Sequence, residues 1–242
     1  MYSLIKKEVG SFFSSLVGYI TIVIFLLSIG LFMWVIPGET NVFDSGFSDL
    51  GFLFTNAPAI FLFLIPAITM RLFAEEQRMQ TLELLFTKPI TDFQIVLAKY
   101  FAGIILLVLS LLPTLVYYFS VVQLGNPVGN IDSGGTIGSY IGLFFLGASF
   151  LSVGLFASSL STNQIVSFLV AVVLCFMVYL GFDFIGNNIE SGETAYLVKN
   201  FGIEEHYSSI QRGVIDSRDL LYFISLIVIF LLATKLSLKR GK

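Results

Sequence analysis

Residues able to do chemistry are few and scattered. The only histidine, His206, follows Glu204 and Glu205, and two carboxylates beside an imidazole invite a metal-ligand reading. Adjacent positions on a helix point apart, so three consecutive residues do not close a site. A solvated loop histidine is the expectation. The only cysteine, Cys175, lies inside an apolar run, without a disulfide partner in the chain and apart from the histidine that nucleophilic catalysis needs. No G-x-x-x-x-G-K-[ST] phosphate loop occurs, so nothing in the chain is built to hold a nucleoside triphosphate. Asp183 falls within an apolar run, one helical turn from Tyr179. Ionisable groups in membrane helices are costly and often functional, which makes this pair a candidate pathway or gate. The plainer reading is an aspartate near the wet end of its helix.

The densest polar chemistry sits in residues 71–100, where eight charged side chains fall in 30 positions: Arg71, Glu75, Glu76, Arg78, Glu83, Lys88, Asp92 and Lys99. Leu72, Phe73, Leu82, Leu85 and Phe86 supply an apolar side, so the stretch predicts an amphipathic helix. Pro89 ends it, because the ring blocks the preceding turn. Thr91 and Gln94 have capping-box spacing and start the next helix. An ordinary charged loop is the alternative, but it would need neither the stop nor the recapping. A rigid projecting element is what a soluble partner needs to push against.

The elements that carry this segment follow from composition. Of 242 residues, 56% are hydrophobic and 12% charged, against about 25% charged in soluble domains. Too few charges remain for a polar coat, so lipid must solvate most of the surface. A bilayer core takes about 20 helical residues to cross, and six apolar runs qualify: 17–36, 52–70, 101–122, 137–160, 165–185 and 220–238. The expected fold is an all-α membrane protein with six transmembrane helices in a single domain, 1–242. Pro58, Pro66 and Pro113 predict kinks rather than breaks. Lys235, near the end of the sixth run, can reach the headgroups. The first run is longer than a signal-peptide core and lacks a cleavage site, so it reads as a retained anchor.

Basic residues set the orientation. With both termini in the cytoplasm, Lys6, Lys7, Arg71, Arg78, Lys88, Lys99, Lys235, Lys239, Arg240 and Lys242 lie inside, and only Lys199, Arg212 and Arg218 outside. Residues 1–16 place Leu4, Ile5, Val9, Phe12, Phe13 and Leu16 on one face, opposite Lys6, Lys7 and Ser14. That pattern fits a helix lying in the interface; a charged flank of the first span is the alternative. The four-residue link 161–164 makes spans four and five a tight hairpin. In the last outer loop, 186–219, Ile203, Tyr207 and Ile210 repeat at helical spacing ahead of Gly213, a C-cap. Gly138, Gly142, Gly147, Ala148, Ser152, Gly154 and Ser158 make span four rich in small residues. Close packing within the bundle is the default reading, a dimer face the other.

The segment Thr81-Leu82-Glu83-Leu84-Leu85 with Pro89, between spans two and three, resembles the coupling region of ABC-2-type transporter permeases. The six spans, the N-terminal helix and the short helix between spans five and six match that family, so the resemblance covers essentially the whole chain. One departure is Gln80, where the family commonly has glycine. The stretches 202–207 and 212–219 resemble the gliding-motility-associated permeases of the Bacteroidota.

The resemblance implies a permease subunit in the bacterial inner (cytoplasmic) membrane that does not hydrolyse ATP itself. ATP and magnesium would belong to a dimer of separate ABC ATPase subunits. A second permease-like or auxiliary membrane subunit and membrane lipid are the other expected partners, with no nucleic acid. Glu75, Glu76, Arg78, Thr81, Leu82 and Glu83 are the expected ATPase-coupling surface, with Asn163 and Gln164 as a minor inner contact. Two other functions stay open. A secondary transporter or channel would want polar groups at mid-membrane and inverted repeats, which the runs lack. A non-transporting scaffold of a motility or secretion machine is compatible with the gliding likeness.

Overall fold

The computed structural model describes residues 1–87, 89–189 and 192–240. Lys88 and Lys242, counted above for orientation, lie outside the described residues. Thirteen α-helices and no strand occur among the described residues. They are α1 (Tyr2–Phe13), α2 (Leu16–Trp34), α3 (Gly51–Thr69), α4 (Ala74–Arg78), α5 (Leu82–Phe86), α6 (Asp92–Leu111) and α7 (Leu115–Leu124), then α8 (Ser133–Ser159), α9 (Gln164–Phe176), α10 (Phe182–Asn187), α11 (Gly192–Lys199), α12 (Ile203–Ile210) and α13 (Ser217–Arg240). Six continuous helical stretches are long and apolar enough to cross a bilayer: 16–34, 51–78, 92–124, 133–159, 164–187 and 217–239. They are spans one to six. An even number of spans puts both termini at one end of the bundle, called here the basic end.

Four of the spans begin at a side-chain cap, which satisfies N–H groups that no preceding turn can reach. Ser15 accepts from Gly18 N–H, Asp132 from Gly135 N–H and Asn163 from Ile165 N–H. Thr91 and Gln94 form the reciprocal capping box that their spacing predicts. The third span therefore starts nine residues before the apolar run does. Pro113 opens a single 3₁₀ turn, Leu112–Thr114, between α6 and α7, whereas α3 runs through Pro58 and Pro66 unbroken.

Span four is the hub. Of its most apolar window 78% is buried, against 22% for span one and 17% each for spans five and six. Its small residues face neighbours within the chain. A methyl group at Gly154 would fall on Thr69, one at Gly147 on Leu107 and one at Gly142 on Ile210. The glycines thus let α3, α6 and α12 approach the α8 backbone, which accounts for the composition without a dimer face.

At the end opposite the termini, α12 is laid over the bundle. Ile203, Tyr207 and Ile210 are buried, and Tyr207 Oη donates to Phe54 O at 2.7 Å. Gly213, at φ +82°, ends this helix in the left-handed conformation that glycine adopts without a Cβ clash. His206 is not a solvated loop residue. Its Nδ1 lies 2.7 Å from Asp219 Oδ1 and its Nε2 2.9 Å from Asn200 O, and the ring stacks on Tyr222 at 3.9 Å. Helix α11 has no signal in the hydrophobic pattern; it is held to α10 by polar contacts.

Two details at the basic end depart from expectation. Leu16 belongs to α2 and is 75% exposed, while Leu4 and Phe12 of α1 are buried against the bundle. Lys235 reaches the ring of Phe93, 5.6 Å from its centroid, and so ties span six to span three. A Cβ at Gly154 meets Thr69, whose Oγ1 is pinned to the carbonyls of Ile65 and Pro66. Gly154→Ala is therefore expected to lower stability by about 1–3 kcal/mol. Gly10, with open space at its Cβ, is the control: Gly10→Ala should raise it by roughly 0.5–1 kcal/mol. Denaturation midpoints of the two variants in one detergent measure the contrast.

Candidate functional site

The site is the connection between spans two and three at the basic end. A five-residue helix has no stability of its own, so α4 must be held by its surroundings. Span four does this. The Ser158 hydroxyl accepts from Phe73 N–H at 3.1 Å and Ala74 N–H at 3.2 Å, and donates to Met70 O at 3.1 Å. One hydroxyl offers one donor and two acceptor sites, and all three are used. Gln77 Nε2 donates to Ser159 O at 3.1 Å, and Ser237 Oγ from span six donates to the same carbonyl at 3.3 Å. Phe73 and Ala74 are fully buried, so water cannot replace Ser158.

The far end of α4 closes in a Schellman motif. Thr81 N–H donates to Glu76 O and Gln80 N–H to Gln77 O, at 3.0 and 3.2 Å, with Gln80 at φ +56°. The glycine common at this place in the resembled family has a physical reason: the turn requires left-handed backbone. Gln80 takes that conformation at a cost of about 1–2 kcal/mol. The amphipathic stretch is consequently two short helices, broken at residues 79–81 well before Pro89.

Beneath the turn lies a cluster of four charges, three of them on side chains no more than 10% exposed and the fourth, Lys7, exposed at its edge. The Lys99 side chain, from α6, is 0% exposed. Its Nζ is 2.8 Å from Glu8 Oε1 of α1 and 2.8 Å from Glu76 Oε2 of α4, and it donates to Leu72 O. The Phe73 ring centroid lies 5.1 Å away. Lys7 adds the second cation, 2.6 Å from Glu76 Oε1 and 3.7 Å from Glu8 Oε1. Partial burial pulls the Lys7 ammonium down, but the hydrogen bond and charge of Glu76, with Glu8 behind it, leave it above the ordinary lysine value. Two cations against two carboxylates make the cluster neutral. Removing one partner of such a buried pair costs about 3–5 kcal/mol.

The nominated coupling residues divide. Arg78 and Glu83 are exposed, and neither has an ion-pair partner among the described residues. Glu75 is half-buried and pairs with Arg71 at 3.4 Å. Thr81 is half-buried, its Oγ1 directed at Glu76 O, and Leu82 is 9% exposed. Glu76 is 7% exposed with both carboxylate oxygens spoken for; it holds the element in place and has no free carboxylate for a partner. Asn163 is exposed and caps α9, with Gln164 half-buried beside it, and α9 touches α4.

Three participants escaped the sequence reading. Met79, 62% exposed, stands at the tip between Arg78 and Gln80. Glu8 and Lys99 complete the buried cluster, and the available signal was a lone lysine inside the apolar run 95–101. Asp183 and Tyr179 lie at the opposite end. Asp183 pairs with Lys199 at 3.2 Å and accepts from Asn187 at 2.8 Å, which fastens α11 to span five. Tyr179 sits in a single π-helical turn, Met177–Gly181, edge-on to Phe150, and shares no bond with Asp183.

Two substitutions check how the turn is held. Ser158→Ala leaves two buried N–H groups unpaired and should cost roughly 1–3 kcal/mol. Gln80→Gly should raise the unfolding midpoint, because the relieved left-handed strain of about 1–2 kcal/mol exceeds glycine's entropic cost of roughly 0.5–1 kcal/mol. Gln80→Val should lower it.

The family model for the ABC-2 family transporter protein matches residues 2–199, a region that takes in α1 to α11 and the whole connection just described. No curated protein matches the chain. Members of the matched family are membrane subunits that work with an ABC ATPase and carry no ATPase site of their own. The chain belongs to the ABC-2 transporter family, as a multi-pass permease subunit of an ABC transporter.

Proposed function

We propose that α4 and α5 are the coupling element of this permease, through which ATP hydrolysis on the separate subunit drives substrate export or conformational work. The observation that carries this reading is the contrast within one short segment. Its inner side is anchored by Ser158, Ser159 and Lys99, while Arg78, Met79 and Glu83 stand exposed at its tip. A rigid root with a free, charged tip transmits a push; a mobile loop would absorb it. Glu75, Thr81 and Leu82 shape the root, and Asn163 and Gln164 border it as a minor contact. The basic end faces the cytoplasm by the positive-inside rule, which puts the tip where nucleotide is, with ATP and magnesium held by the partner.

Spans one, five and six carry little burial, which suits lipid and a second permease-like subunit beside them. The likeness of 202–219 to gliding-motility permeases favours a role in that machinery, and a force-transmitting scaffold is the second reading it supports. In either case Asp183 and Tyr179 are candidates for a gate at the far end.

The test is purification of the native complex with Arg78→Glu and Glu83→Lys variants. Exposed charged contacts are worth up to about 1 kcal/mol each, so stimulated ATP hydrolysis should fall roughly five-fold per substitution at unchanged thermal stability. Absence of an ATPase from the complex, or full activity of both variants, defeats the reading. Cysteines placed at Asn130 and Gln80 must label from outside and inside respectively. Native Cys175, fully buried, does not interfere.

A further inference from the structure

The buried cluster joins parts of the chain that the connection between spans two and three does not itself include. We infer that Lys99 is a positioning residue that locks the N-terminal helix α1 to the α4 element, so that the two move as one body and displacement of the tip also reaches span one. The lock needs no partner; that it carries motion rests on the coupling role proposed above.

A lysine ammonium has three N–H donors and no acceptor. Lys99 donates to Glu8 Oε1 of α1 and to the Leu72 carbonyl, and its ammonium lies 2.8 Å from Glu76 Oε2 of α4 in an ion pair, on a side chain that is 0% exposed. Lifting the 72–76 segment away from α1 strips Lys99 of two of these three partners. Swinging α1 away from the segment strands Glu8 and pulls Lys7 off Glu76 Oε1. Either separation takes a partner from the buried Lys99 ammonium, whereas movement of α1, α4 and the start of α6 together breaks none of these pairs. Both carboxylates and the buried Lys99 ammonium are therefore paired only in one relative arrangement of α1, α4 and α6.

What α1 does next is set by its junction with span one. Ser15 turns the chain, its Oγ accepting from Gly18 N–H, and Gly18 lies so close to Phe12 that a Cβ there would strike the Phe12 carbonyl and ring. Helix α1 is thus coupled tightly at its far end as well. A push on the tip is led directly into spans two and three by the peptide chain, and into span one by the charge cluster and α1.

Spin labels at Ser11 and Met79, both exposed, report the α1-to-tip distance by pulsed electron paramagnetic resonance in lipid nanodiscs. The isolated chain should give a narrow distribution. Lys99→Met should broaden it, and so should Lys99→Met combined with Glu8→Gln and Glu76→Gln, which leaves no buried charge unpaired, since the remaining Lys7 is 55% exposed. If the triple variant stays narrow, apolar packing holds α1 and the lock is overturned. In the complex with its ATPase, the wild-type Ser11–Met79 distance should stay unchanged between nucleotide-free and vanadate-trapped states, while the triple variant loses stimulated hydrolysis. A distance that changes in the wild type overturns joint motion. If no ATPase associates, the coupling role falls and the transmitted motion with it, whereas the distributions from the isolated chain still decide the lock.

Discussion

In hydrocarbon no water is present to take an unpaired N–H or C=O, so each backbone group must find its partner inside the protein. Within the spans the helices do this themselves. The difficulty moves to the places where helices stop, and there the structure is most specific. Thr91, Ser15, Asp132 and Asn163 cap their own helices. Helix α4, whose N-cap Phe73 has no acceptor on its side chain, has its first N–H groups satisfied from 84 and 85 residues away by Ser158. The connection between spans two and three is for that reason part of the core and not an appendage of it.

The same rule applied to charge explains the arrangement around Lys99. A buried ion pair is seldom more stabilising than a well-packed apolar contact of the same volume, so stability is a poor reason for a four-charge cluster. What such a cluster supplies is register: only one placement of α1, α4 and α6 neutralises it. The contrast with Arg78 and Glu83, a few residues away and exposed, follows from helix geometry. Glu75 and Glu76 point apart, so one carboxylate turns to the surface and the other into the bundle. The break at Gln80 then sets Glu83 on a separate short helix with its own exposed face.

Much of the architecture was legible from the chain alone. Six apolar runs, the Thr91–Gln94 capping box, the Ile203–Tyr207–Ile210 face and Gly213 as a stop all appear where local rules put them, because each depends on residues within a turn or two of one another. The packing role of span four's glycines was legible as a default. Misread were Glu76 as a surface contact, His206 as solvated and Leu16 as part of the α1 face. Each error has one origin: exposure is a property of neighbours distant in sequence. Glu8 and Lys99 are 91 positions apart, and no periodicity connects them.

The sequence by itself determined that this protein is all-helical, crosses a membrane six times and carries one charged, interrupted segment between spans two and three, since hydropathy and helix stop signals act over short stretches of chain. Only the tertiary structure decided which charges of that segment are free and which are locked away. Burial and ion pairing are settled by which helices meet, and here that meeting is governed by the small residues of span four and by a single buried lysine between two carboxylates.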